Sequence, residues 1–347
     1  MSMKFSSLFF AMLFINSPAI GSCPSLEGET IRFVVPNSAG GGYDRYSRLL
    51  APFFGKSLQT TIKVQNIDEA GGAVGAATIR DAVADGRTLG ILNGPGLMIA
   101  NLVGQEQVPN PAAEFTLLAR IARSQHVWVT AAKSPLRTMD DVFDLAKDRP
   151  LVYATRDVAS ISFLSLTMGA HILGIPVEAV AGYSGSSQET LALLRGEVDV
   201  ISVNFSSAFK KIEAGDLRPL LQITEAPIPD KGLLDGVPTI GGEDGLAGKL
   251  FPGDSDVARS LTALVNFTGA GRLIAAPLNL NEDLRECMQA TLLGVLADPE
   301  FVAAAHAARL SLSVAPGDEA TLELHRVAAE SDAFRSIVAR AVERLRQ

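Results

Sequence analysis

No run of lysine and arginine stands out in this chain, and aromatic residues make up only 6% of it. The formal net charge is −8. A nucleic-acid partner would demand the opposite sign gathered on one face, so none is expected. Histidine is equally sparse. His126, His171, His306 and His325 are widely spaced with no i, i+4 pair, which gives a zinc site no support. No metal and no cofactor is expected. The glycines at 40–42 run into Tyr43-Asp44 where a P-loop would need Lys-Ser or Lys-Thr, which excludes that reading. The segment EAGGAVGA (69–76) lacks the G-x-G-x-x-G spacing of a dinucleotide site. Beyond the first two dozen residues, no stretch is long and apolar enough to cross a bilayer.

What is present is globular. Of the 347 residues, 47% are hydrophobic and 20% charged, which allows a large core and is a soft indication of two domains. Residues 1–22 read as an export signal. Lys4 supplies the positive end, Leu8 to Ile15 the apolar stretch, and SPAIGSC (17–23) the small residues before a cut. The expected compartment is a bacterial periplasm. Three readings of Cys23 stay open. Ala19-Ile20-Gly21 suits an ordinary signal peptidase. Ile20-Gly21-Ser22-Cys23 also reads as a permissive lipobox, which would lipidate Cys23. Pairing with Cys287, the only other cysteine, ranks behind both. Cys287 sits beside Met288 and three residues after Leu284, where a free cysteine is usually a small core hydrophobe.

After the signal, strands and helices alternate. Strands are expected at 31–36, 61–66, 88–93, 115–121 and 126–132. Helices are expected at 43–54, bent or shortened by Pro52, and within 71–86. A second unit follows, with a capping-box helix start at Thr138 and Asp141 and strands at 151–155, 177–182, 198–203 and 217–224. One helix there carries Phe163, Leu164, Met168 and Ile172, and another spans 187–195. The stretch 225–271 reads as loops with a short helix near Val257–Val265. Strand 272–277 comes next. Asn281 then caps one helix, Asp298-Pro299-Glu300 starts another, and a long one runs from Pro316 to Arg346. The alternation argues for mostly parallel, doubly wound sheets flanked by helices. Two nested units resemble a two-lobed clamp, with lobe 1 at 24–125 and 226–347 and lobe 2 at 126–225. Ligands of such sheets sit at the carboxyl ends of the strands, here in the cleft.

Two Gly/Ser-rich turns, at 36–42 and 182–186, each lie between a buried-type strand and a helix. Such turns aim backbone N–H groups and a helix N-terminus at one point, which suits an anion. Gly40 and Gly41 are read as ligand contacts, and Gly71, Gly72 and Gly75 as structural.

The ordered series is V-P-x-x-x-G-G-x-x-D (35–44), A-G-G-x-x-G-A (70–76), D-G-x-T-L (85–89), G-Y-S-G-S (182–186), L-L-R-G-E-V-D (193–199), A-G-x-L-R (214–218), V-P-T (237–239) and L-A-D-P-E (296–300). It resembles the substrate-binding receptors of the tripartite tricarboxylate transporter system, the TctC or Bug family, over nearly all of the chain after the signal. The resemblance implies a type II-like Venus-flytrap fold without catalytic activity, acting as a monomer. It implies a small carboxylate ligand and a two-component membrane permease as partner. Membrane contact would come only through that permease or a lipid on Cys23. The ligand-facing residues it implies are Asn37, Ser38, Ala39, Gly40 and Gly41 in the first turn and Ser184, Gly185 and Ser186 in the second. Asn204 follows the V-D strand, and Asn93 and Gly94 end the third strand.

The series departs from the family pattern at YATRDVASISF (153–163), where only Ser160 and Thr155 match and Phe163 stands where histidine is common. Arg156 there could pair bidentately with a second carboxylate, or with neighbouring Asp157, which is the somewhat favoured reading. Tyr43 is expected at the ligand. Two rivals remain. One is a sensor of the same ligand class docking to a signalling partner. The other is an enzyme on the same fold using Ser160, Ser162, Asp44 or Asp157, for which no histidine lies close by in sequence.

Overall fold

The computed structural model describes residues 23–330 apart from 103, 106, 159 and 231. The expected export signal and the last part of the C-terminal helix lie outside the described residues. The chain begins with β1 (Thr30–Val35), α1 (Gly42–Leu58), β2 (Thr61–Asn66), α2 (Ala73–Arg80), β3 (Thr88–Asn93) and α3 (Gly94–Leu102). Strands β4 (Phe115–Ala122) and β5 (His126–Ala131) carry it across to the second unit. There follow α4 (Met139–Asp148), β6 (Leu151–Ala154), α5 (Ile161–Ile172), β7 (Val177–Val180), α6 (Ser186–Arg195), β8 (Ile201–Asn204), α7 (Phe205–Glu213) and β9 (Leu217–Ile223). The return comprises α8 (Leu246–Leu250), α9 (Ser255–Gly269), β10 (Arg272–Pro277), α10 (Glu282–Ala297), α11 (Pro299–Ala307), β11 (Ala315–Pro316) and α12 (Gly317–Glu330).

Two sheet systems result. The first has order β11-β4-β10-β3-β1-β2. The second joins β8-β5-β9 to the β6-β7 pair through a parallel bridge between Tyr153 and Val200. Parallel pairing joins β1 with β2 and β3, joins β6 with β7, and recurs at the isolated bridges Tyr153–Val200 and Gln222–Thr239. Strands β4, β10, β5 and β9 run antiparallel to their neighbours. The reason is connectivity: these strands carry the chain between the sheets, so they enter each one from the opposite end.

One apolar cluster runs beneath both sheets and includes Val34 and Leu92 of the first with Trp128, Tyr153 and Phe163 of the second. Two others belong to one sheet each. Helix α5 is buried on almost every side, so it reads as an apolar run with little periodicity. Gly169 lets it lie against Trp128, since a Cβ there would meet the indole at 2.7 Å.

Several expectations need adjustment. Helix α1 continues through Pro52 to Leu58, burying Leu50, Phe54 and Leu58. Pro52 is exposed, so water can meet the carbonyl that its missing N–H leaves unpaired. Helix α2 ends at Arg80, earlier than the 71–86 pattern implied. Helix α9 is fifteen residues long rather than a short turn, begun by Asp254 accepting from the N–H groups of Asp256 and Val257. Helix α3, opened by Gly94-Pro95-Gly96, was not expected. The capping box at Thr138 and Asp141 is present.

The lipidation reading of Cys23 is overturned, as is the ranking of the disulfide behind it. Cys23 and Cys287 are bonded, and a sulfur in a disulfide cannot carry a thioether lipid. Cys287 does lie on the apolar side of α10, but Cys23, buried before β1, meets it there. The bond closes a loop with a sequence separation of 264. Loops of this kind typically contribute about 2–4 kcal/mol. Native protein should therefore show no titratable thiol, and denatured reduced protein two. Reduction or Cys287→Ser should lower the unfolding free energy by about 2–4 kcal/mol. Free thiols in the native state, or a melting curve indifferent to reductant, would refute the pairing.

Candidate binding site

The turn after β1 folds back on itself. Gly40 N–H donates to Asp44 Oδ2 at 2.8 Å, and Gly41 N–H to the Ser38 carbonyl at 3.3 Å. Burial works against the Asp44 charge, but Arg48 at 2.9 Å, the Gly40 N–H and Asn66 together hold its carboxyl below the ordinary range. Ser38 Oγ donates to Asp68 at 2.5 Å. Ser38, Ala39, Gly40 and Gly41 are exposed, and part of their donor capacity is used within the chain.

Asn37 stands differently. Its side-chain Oδ1 is buried without a hydrogen-bond partner. It lines a cavity of about 280 Å3 between the two sheets. The floor comes from the first unit: Asn37, Gly71, Gly72 and Ala73, Asn93 at the end of β3, and Gln105 beyond α3. The second unit contributes Arg156 and Asp157 from the loop after β6. Helix α2 starts there with no side-chain cap; the Gly72 N–H is taken by the Asp68 carbonyl and the Ala73 N–H by the Ala70 carbonyl. Gly72 and Gly75 are structural as expected, because a Cβ on either would strike backbone: the Pro36 carbonyl at 2.3 Å and the Ile67 carbonyl at 2.4 Å. Gly71 and Gly72 also line the cavity, a role the sequence reading did not assign. Gly71 has φ +67 and lies under the Arg156 guanidinium. Arg156 Nε donates to Asp157 at 2.9 Å.

Other expected residues serve elsewhere. Thr155 Oγ1 meets Ser160 Oγ at 2.7 Å, and Ser160 caps α5 through the Phe163 N–H. Asn204 caps α7, accepting from Ser206 N–H at 3.1 Å and Ser206 Oγ at 2.7 Å. Gly94 is packed against β10, where a Cβ would meet Leu273 at 2.9 Å. Ser184, Gly185 and Ser186 open α6 at the surface, with the Ser184 N–H taken by Gln188 Oε1 at 3.0 Å. Thus Asn37, Asn93 and Arg156 come together in the cavity, and the second Gly/Ser turn is not among its walls.

A second polar junction lies where α1 meets α7. A Cβ on Gly42 would stand 3.2 Å from Arg272 Nη2 and 3.5 Å from Ser206 Oγ. Arg272, at the start of β10, is 2% exposed. Its guanidinium carbon lies 4.8 Å from the ring centres of both Tyr43 and Tyr46. Burial raises the Tyr43 hydroxyl pKa, with Arg272 and a hydrogen bond to Ser124 opposing. Burial, then the Arg272 charge, pushes His126 down to about 3, so it is neutral at ordinary pH. Sequence reasoning missed Arg272. The available signal was an arginine opening an otherwise apolar buried strand.

A two-sheet α/β body with a cavity between the sheets defines the class of bilobal solute-binding receptors. Residues 47–231, more than half of the chain, match the family model described as "Tripartite tricarboxylate transporter family receptor", and the chain belongs to that family. It is similar to protein BugT of Bordetella pertussis, 28% identical over 221 residues, covering 61% of this chain and 65% of that one. The chain spans just under two thirds of the length of the curated relatives it matches. In fold it is similar to Rpa4515 of R. palustris, solved with adipate, at TM-score 0.72 and 21% identity, covering 90% of this chain and 97% of that one. It is also similar to MatC of Rhodopseudomonas palustris, solved with bound malate, at TM-score 0.67 and 20% identity, covering 89% and 99%. The periplasmic binding protein BugD gives a TM-score of 0.69 at 19% identity, covering 90% and 97%. Among the described residues, no helix is long and apolar enough to cross a membrane.

Behind Arg156 lies a buried carboxyl. Glu189 on α6 is 2% exposed, accepts from Ser162 Oγ at 3.3 Å, and takes the Arg156 backbone N–H. Burial pushes it up to about 7; Ser162 and Arg156 oppose this and Asp157 adds to it. The unfolded chain loses this proton near 4.5, the folded chain near 7. Stability therefore falls as pH rises between those values, by roughly 3 kcal/mol, and levels off above. Glu189→Gln removes the penalty. Urea unfolding from pH 4.5 to 8 should show the variant gaining on the wild type by roughly that amount. A constant difference across this range would contradict the assignment.

Proposed function

We propose that this chain is an extracytoplasmic, non-catalytic receptor that captures a small carboxylate between its two sheets and delivers it to a two-component permease in the membrane. The observation that carries the reading is the cavity itself. It is lined by Asn37 and Asn93, the start of α2 and the Arg156 loop, drawn from both sheets. Membership of the receptor family supports it, as do adipate and malate in two structures of similar fold.

The magnitudes agree. Micromolar affinity corresponds to about 8 kcal/mol. Hydrogen bonds to a charged group contribute roughly 1.5–3 kcal/mol each, so three or four reach that range before closure costs. A ligand touching both sheets favours the form in which they are closed upon it, because only that form offers both sets of contacts. A permease that recognises the closed form then distinguishes loaded from empty receptor.

Thermal-shift screening against mono-, di- and tricarboxylates should give a saturable rise in melting temperature with at least one of them. Asn93→Leu, which keeps side-chain bulk and removes the amide, should weaken that ligand by about tenfold or more in calorimetry. Unchanged affinity would move the site out of this cavity. A cooperatively folded sample silent to the whole panel would overturn the carboxylate reading.

A further inference from the structure

Arg272 is buried, yet its contacts within the chain are weak. Nη1 reaches the Arg123 carbonyl and Nη2 reaches Ser206 Oγ, each at 3.5 Å, the outer limit of a hydrogen bond. Nε has no hydrogen-bond partner. Among the described residues no carboxylate lies within ion-pair distance of it. Asp44, the acid in the first turn of α1, is engaged by Arg48 and the Gly40 N–H. Two aromatic rings carry the guanidinium instead.

Two helix starts face it, that of α1 with Asp44 in its first turn and that of α7 capped by Asn204. Gly42 opens the seventeen-residue α1, and Ser206 and Ser207 lie in the first turn of the nine-residue α7. Both helix N-termini carry partial positive charge, and the guanidinium lies between them. A buried cation between two helix N-termini is an arrangement that an anion stabilises strongly. Arg272 is not itself a wall of the cavity but is linked to one by the sheet. It is the cross-strand partner of Asn93, which lines that cavity, and directly opposed residues of an antiparallel pair project to the same face. Arg156, by contrast, is already engaged with Asp157.

We infer that Arg272, set between the N-termini of α1 and α7, is the charged anchor that takes a carboxylate of the ligand directly, while Arg156 is a wall of the cavity held by Asp157. The inference rests on the carboxylate reading given above. The anchor belongs half to the first sheet, through β10 and α1, and half to the second, through α7. Separation of the two helix ends exposes the guanidinium, and a bound carboxylate draws them together around it.

The test uses the full chain, with malate, succinate and adipate as probes in calorimetry and sulfate as a bare anion in thermal shift. For any probe that binds the wild type, Arg272→Gln should cost about 30-fold or more in Kd, Arg272→Lys should recover part of it, and Arg156→Gln should cost clearly less than Arg272→Gln. Wild-type affinity in Arg272→Gln, or an equal loss in Arg156→Gln, overturns the assignment. Gly42→Ala and Ser206→Ala keep the arginine and carry the test should Arg272→Gln not fold. The alanine methyl would press on Nη2 and the serine change would remove its hydroxyl contact, so each should weaken binding by about fivefold or more. Unchanged affinity in both overturns the assignment equally. Stabilisation by millimolar sulfate that requires Arg272, with no carboxylate bound, keeps the anion anchor and overturns the carboxylate reading. Indifference to all four probes overturns both.

Discussion

The insertion of β10 between β3 and β4 is the constraint on which the rest of the molecule depends. All six of its residues are buried, and it pairs antiparallel on both sides. Without it, β4 would have no partner linking it to β3 and the first sheet would divide. The chain must therefore leave the first sheet along β4, build the whole second sheet, and come back through α8 and α9 before the first can close. The second unit is held at both ends by this return. That topology places Arg272 beside Asn93, and brings the Arg156 loop over a cavity floored by the turns after β1 and β3.

The two sheets touch through chemically different surfaces. Beneath them the contact is apolar and continuous, with α5 of the second unit packed among α3 and α9. At the junction of α1 and α7 it is polar. There Arg45 donates to the Ser206 carbonyl at 3.3 Å, and Arg309 pairs with Glu213 at 2.6 Å. Arg309 also stacks on Phe209 with its guanidinium carbon 4.9 Å from the ring centre. Close-packed apolar contacts resist sliding, whereas exposed polar pairs contribute little and re-form readily. Arg272 lies on the polar side of this contact.

How much of this was legible in the sequence depends on how local the cause is. The capping box at Thr138, the caps at Asn281 and Asp298, and the strand order of chain events are written in adjacent residues, and they stand. Helix α1 passing Pro52 was not legible, because the outcome turns on which face of the helix meets water. Helix α3 was hidden by Gly94-Pro95-Gly96, which reads as a turn. The disulfide was misjudged because an apolar neighbourhood around Cys287 says nothing about which chain end arrives there. Ser160 and Asn204 looked like ligand contacts by their place in the family series, yet in the fold both cap helices. A cap and an anion contact draw on the same residue types, since both offer an oxygen or an N–H at a helix start.

That ambiguity bears on how such a receptor obtains charge selectivity. Backbone N–H groups at a helix start serve any acceptor, including the chain's own. In the first turn, Asp44 and Ser38 already claim two of them. The second turn gives the Ser184 N–H to Gln188. What remains for an outside anion is the part that the chain cannot satisfy by folding alone. Among the buried side-chain atoms without a partner in the described residues, Asn37 Oδ1 belongs to a wall of the cavity and Arg272 Nε to a cation. The first offers an acceptor, suited to a hydroxyl or a bound water. The second offers a cation whose desolvation is not offset by any carboxylate in the described chain. A ligand that carries both a carboxylate and a hydrogen-bond donor would satisfy both, and its binding would derive from the two places where the fold leaves polar groups incomplete.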